Sequence, residues 1–126
     1  MPGILFIQDE DNAGSFAGKV LTSMGITPEY HCLSTPFPDC VLSHGCDLIL
    51  LELFREIDSS IELLKSMEKH CYTSGMDFPS VIVVSHVCSD SIETPFRVAR
   101  GGFFFFEPLQ EDELRSAIIQ VFKHDT

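Results

Sequence analysis

Basic residues are scarce in this chain: Lys and Arg number 8 against 19 Asp and Glu, giving a formal net charge of −11 over 126 residues. So negative a surface repels a phosphate backbone and argues against direct nucleic-acid binding; a basic protein surface is the electrostatically natural counterpart. No apolar run approaches the roughly 20 residues a membrane helix needs, and no basic stretch followed by a long apolar core opens the chain. The expectation is a cytoplasmic protein with no membrane partner. The five cysteines (Cys32, Cys40, Cys46, Cys71 and Cys88) contain no Cys-x-x-Cys pair and no His at zinc-finger spacing, and their odd number argues against a disulfide framework. Small buried hydrophobes in a reducing compartment describe them better. With no linker, internal repeat or low-complexity stretch, residues 1–126 read as a single domain, whose 44% hydrophobic content suffices for one core.

What the chain does have is four short apolar runs that each stop at a polar residue. Ile4 to Ile7 ends at Gln8-Asp9-Glu10, Leu48 to Leu51 at Glu52, Val81 to Val84 at Ser85, and Phe103 to Phe106 at Glu107. Continuous apolar runs of this length read as strands covered on both faces, the habit of parallel sheets flanked by helices. Between them the period changes to that of helices. Ala13, Phe16, Ala17, Val20, Leu21 and Met24 form one stripe from Asn12 to Met24, ended by Gly25. Ile57 to Cys71 puts Ile61, Leu64 and Met67 inward, and Leu114, Ala117, Ile118, Val121 and Phe122 do the same in a last helix opened by Glu111, Asp112 and Glu113. Two stretches are weakly written: a short strand between Thr27 and Leu33 followed by a brief helix around Asp39 to Ser43, and a helix of little more than one turn capped by Thr94, with Pro95 in its first turn, before Gly101. Five strands then alternate with five helices: an α/β, doubly wound parallel sheet with helices on both faces. In such a sheet the carboxyl ends of the strands converge on one crevice where ligands sit.

The order of acidic loop, strand-ending acid, strand-ending hydroxyl and a strand-ending residue before Pro resembles a response-regulator receiver domain, over essentially the whole chain. Ile4-Leu5-Phe6-Ile7-Gln8-Asp9-Glu10 resembles the family's first strand with its acidic pair, Asp47-Leu48-Ile49-Leu50-Leu51-Glu52-Leu53 its third strand with the phosphoacceptor, and Glu107-Pro108-Leu109 its Lys-Pro-Phe signature. The resemblance implies a flavodoxin-like sheet of order 2-1-3-4-5. It also implies a site in which an aspartate takes a phosphoryl group from a partner kinase's histidine, with magnesium neutralising the charge. Departures from the pattern fall on the reacting groups. Glu52 stands at the acceptor position, its carboxyl one carbon farther from the backbone, and a displacement on the order of 1 Å costs roughly a hundredfold in a positioned reaction. Glu107 replaces the lysine. If Glu52 and Glu107 lie about 6 Å apart at an effective dielectric near 20, they repel by roughly 3 kcal/mol. Three outcomes answer that repulsion: one carboxyl kept protonated, a cation between them, or side chains splayed into water.

Asp9, Glu10, Glu52 and Glu107 thus make an acidic pocket, and Asp9, Glu52 and the backbone carbonyl of Phe54 are a partial magnesium set; no cofactor is required, and weak magnesium binding is the one metal expectation. The same acids also read as caps of the helix beginning near Asn12. Ser85 and Phe104 occupy the switch positions, although four successive phenylalanines also read as core packing. His86 falls where an imidazole would cover the pocket mouth and obstruct a kinase; a catalytic role stands beside a packing one. Phe96, Arg97, Arg100 and Arg115 mark the face receivers commonly use for contacts.

The expected function is therefore that of a pseudo-receiver. It would be a phosphorylation-independent interaction module of two-component signalling, not an enzyme, whose partner is a protein: a histidine kinase, an output domain or a second copy. A divergent receiver still phosphorylated with magnesium is the alternative within the class. A flavin- or nucleotide-binding domain of similar winding is the alternative outside it, although Gln8-Asp9-Glu10-Asp11 presents negative charge where backbone donors would cradle a phosphate.

Overall fold

The computed structural model describes residues 3–8, 16–32, 47–54, 57–75, 77–86, 103–106 and 110–124. Five strands, β1 (Ile4–Gln8), β2 (Glu29–Cys32), β3 (Leu48–Leu53), β4 (Ser80–Ser85) and β5 (Phe103–Phe106), form one sheet in the order β2-β1-β3-β4-β5, every neighbouring pair parallel. The expected topology is the observed one. Three helices are described: α1 (Phe16–Ser23), α2 (Ile57–Thr73) and α3 (Glu111–His124). The brief helices expected around Asp39 to Ser43 and Thr94 to Gly101 lie outside the described residues, as do residues 9–15, where α1 was expected to begin.

Strand alternation divides the interior in two. Leu5, Ile7, Ile49, Leu51, Leu53, Val81, Val83 and Phe104 face α2, which meets them with Ile61, Leu64, Met67 and Cys71. Ile4, Phe6, Leu48, Leu50, Ile82 and Val84 face the other way, onto Ala17, Val20 and Leu21 of α1 and Leu114, Ala117, Ile118 and Val121 of α3. The strands carry apolar residues at consecutive positions because both faces are roofed by helices. Gly25 and Gly75 follow α1 and α2 with φ of 74° and 72°, the left-handed conformation in which a helix C-terminus closes most cheaply on glycine. Cys71 is a buried free thiol, and burial pushes its pKa up, so it behaves as the small hydrophobe expected. Among the described residues, no helix is long and apolar enough to cross a membrane.

Candidate functional site

Period-two alternation and register together decide what meets at the carboxyl end of the sheet. Gln8 lies directly across the ladder from Glu52, and Glu52 from Val84. Glu52 is therefore inside β3, not beyond its end, because the β4 ladder carries the strand on to Leu53. By the same alternation, positions 8, 52 and 86 all project to the face covered by α1, two residues on from Phe6, Leu50 and Val84 respectively. These polar side chains replace one more layer of core.

The Glu52 carboxyl group is completely buried. Its Oε1 accepts a hydrogen bond from Gln8 Nε2 at 2.6 Å; its Oε2 accepts one from the backbone N–H of Ala17 on α1 at 3.3 Å, and meets His86 Nε2 at 2.9 Å. A carboxylate without water must find its donors inside the protein, and here an amide, a ring nitrogen and a backbone N–H of α1 provide them. Of the three outcomes open to an acidic pair, a side chain turned into water is thus not the one Glu52 adopts. It turns inward, since Gln8 offers it a donor where an acid would have repelled it.

Gln8 is equally buried, and its amide has only one workable orientation. A carboxylate only accepts, so the NH2 must face Glu52; the carbonyl Oε1 then accepts from the hydroxyl of Tyr30 on β2, which must donate. Tyr30 is held in place by its ring, edge-on to Phe6 with centroids 5.7 Å apart and planes at 89°. At the other end, His86 is fixed twice over. Its ring lies flat on that of Phe54, centroids 4.4 Å apart and planes 4° apart, and its backbone N–H donates to the carbonyl of Leu53 at 2.9 Å. A single polar chain results, Tyr30–Gln8–Glu52–His86, crossing four of the five strands. Among the described residues, no buried side-chain nitrogen or oxygen lacks a partner.

Of the residues singled out in the sequence, the structure brings together Gln8, Glu52, His86 and Phe54. Ser85 is buried too, but it sits beside Leu53 in the ladder and by alternation projects to the α2 face, away from Glu52. Phe104 lies in the core against α2, which supports its reading as packing. Asp9, Glu10, Glu107, Phe96, Arg97 and Arg100 lie outside the described residues. Arg115, assigned to the contact face, is occupied within the molecule: it pairs with Glu111 at 2.5 Å and Asp112 at 3.3 Å on its own helix, and donates to Ser23 Oγ at 3.1 Å on α1. Solvent-exposed pairs of this kind contribute little, so Arg115→Ala should lower stability by about 0.5 kcal/mol in urea unfolding; a loss above about 1 kcal/mol would show a stronger clasp between α1 and α3.

For magnesium, the described part of the site is a poor fit. Three N–H donors converge on the two oxygens of Glu52, whereas a hard cation wants oxygen ligands and no donors aimed at it. Phe54 contributes its ring, stacked on His86, and no group of three or more His, Cys, Asp and Glu among the described residues is placed to hold a metal. Tyr30 is the participant that the sequence reading missed. The signal available was the buried amide itself, since a Gln ending an apolar run needs an acceptor as well as a donor.

No family model matches the sequence, and no curated relative matches it. Solved structures match along its whole length. One is a two-component response regulator from Clostridium difficile, with a TM-score of 0.74 and 15% identity over 98% of this chain and 97% of the other. A response regulator receiver protein from Pseudoalteromonas atlantica gives 0.73 and 17% identity over 99% of this chain and 100% of the other. The receiver domain of the Francisella response regulator 1452 gives 0.67 and 16% identity over the full length of both. The fold is thus the flavodoxin-like fold of response-regulator receivers, carried here on a sequence far from theirs.

Proposed function

We propose that this domain is a pseudo-receiver of two-component signalling, a module that binds a protein partner and takes no phosphoryl group. One observation carries the reading: the side chain at the acceptor position is completely buried, and both of its oxygens are held by donors of the fold itself. A phosphoryl acceptor needs an oxygen that can reach its donor in line and a cation beside it. Glu52 instead bonds to a backbone N–H of α1 and joins β1, β3 and the residue after β4. No resident metal is needed, since the protein's own N–H groups do the neutralising. The binding partner is a kinase, an output domain or a second copy of the chain, recognised by surface and not by phosphorylation state.

The test is intact mass after incubation with acetyl phosphate and magnesium. The expected result is unmodified protein, under conditions that label a working receiver treated alongside. A stable adduct mapped to Glu52 would overturn the proposal in favour of a divergent, still phosphorylated receiver.

A further inference from the structure

We infer that the crevice of this domain is wired to the edge strand β2 through Tyr30, so that a change at His86 is read at the Tyr30 hydroxyl. The path is the hydrogen-bonded chain already traced. His86 Nε2 meets Glu52 Oε2, Glu52 Oε1 accepts from the Gln8 amide, and the Gln8 carbonyl accepts from Tyr30. Each link is directional. If Glu52 rotates, the Gln8 amide must follow to keep its donor on the carboxylate, and its carbonyl then leaves the Tyr30 hydroxyl. The two inner members, Gln8 and Glu52, have no exposure, so no water can substitute for a lost partner. The outer end, Tyr30, is 45% exposed on the outermost strand.

The meaning of this path as a signalling route rests on the pseudo-receiver reading, but its existence is tested separately. Tyr30 and Tyr72 are the two tyrosines, and the chain has no tryptophan, so Tyr72→Phe at a position 85% exposed leaves Tyr30 as the one tyrosine signal. In that background, with carbon-13 in the tyrosine ring and nitrogen-15 in histidine, His86→Phe should shift the Tyr30 resonance, and Tyr30→Phe should shift the His86 ring nitrogens. Tyr30 and His86 are three inter-strand spacings apart, about 14 Å, beyond the reach of a direct ring effect. Gln8→Met, which keeps the volume and removes the side-chain hydrogen bonds to Glu52 and Tyr30, should abolish both responses.

Signals that stay in place in both single substitutions would overturn the inference, as would responses that persist without Gln8. If Gln8→Met does not fold, the reciprocal pair still decides, since Tyr30→Phe removes one hydroxyl at a half-exposed site and coupling between two sites must act in both directions. Labelling of Glu52 by acetyl phosphate would refute the pseudo-receiver reading and leave this coupling standing; unresponsive Tyr30 and His86 signals would do the reverse.

Discussion

Glu52→Ala should cost about 3–5 kcal/mol in urea unfolding, at an unchanged slope, and lower the melting temperature by roughly 10–20 °C. At a surface position the same substitution would be nearly neutral. Here it removes the acceptor on which three donors converge: the Gln8 amide, the Ala17 backbone N–H and His86. Each becomes a buried or half-buried group without its partner, at about 1–3 kcal/mol for a fully dry one, and the truncated side chain leaves a cavity. The expected loss is smaller than that sum because His86, at the edge of the site, regains water. A loss below about 1 kcal/mol would mean that the carboxylate does not sit in the closed arrangement. So large a dependence on one acid is unexpected for an acceptor that must stay available to a kinase, and it is the stability signature of a group converted to structural use.

Much of the fold was legible in the sequence. Four apolar runs gave four strands, the helical stripes gave α1, α2 and α3 with the expected inward residues wherever these are described (Ala13 lies outside the described residues), and even the weakly written strand after Thr27 is present as β2. The reason is physical: burial on both faces forces apolar residues at every position of a strand, and that is hard to mistake. The same uniformity conceals the site. A strand with no polar alternation carries no mark of which face is which, so nothing in Leu48 to Leu53 says toward which helix Glu52 points. The register Gln8 to Glu52 and Glu52 to Val84 supplies that, and register comes from tertiary pairing. His86 was recognisable as a neighbour of the crevice but not as the partner of Glu52. The repulsive pair expected from the sequence, Glu52 with Glu107, left a protonated carboxyl, a bridging cation or exposure to water as its outcomes; Glu107 lies outside the described residues, and Glu52 takes an internal amide, a backbone N–H and His86 as its partners.

Gln8 is the residue on which this solution depends, and Gln8→Glu should reverse it. The substitution keeps the shape and turns the 2.6 Å hydrogen bond to Glu52 into a contact between two carboxyl groups. Two unit charges about 3 Å apart at an effective dielectric near 20 repel by about 5 kcal/mol. The donor lost from Glu52 adds to that, while the Tyr30 hydroxyl can still donate to the new carboxylate and proton uptake removes part of the repulsion, so a net loss of about 3 kcal/mol is expected at neutral pH. The variant should also acquire something the parent lacks. Two facing carboxylates are the beginning of a hard-cation site, and a cation that binds only the folded state stabilises it, by about 2.7 kcal/mol at a hundred times its dissociation constant. Thermal melts should therefore show millimolar magnesium raising the melting temperature of Gln8→Glu and leaving the parent unmoved, with sodium at equal ionic strength as the control for screening. A parent that itself responds to magnesium, or a variant that loses no stability, would show that the amide is not what holds Glu52 inward. With magnesium stabilising only Gln8→Glu, the metal dependence of the site turns on one atom, the amide nitrogen of Gln8 that donates to the Glu52 carboxyl group.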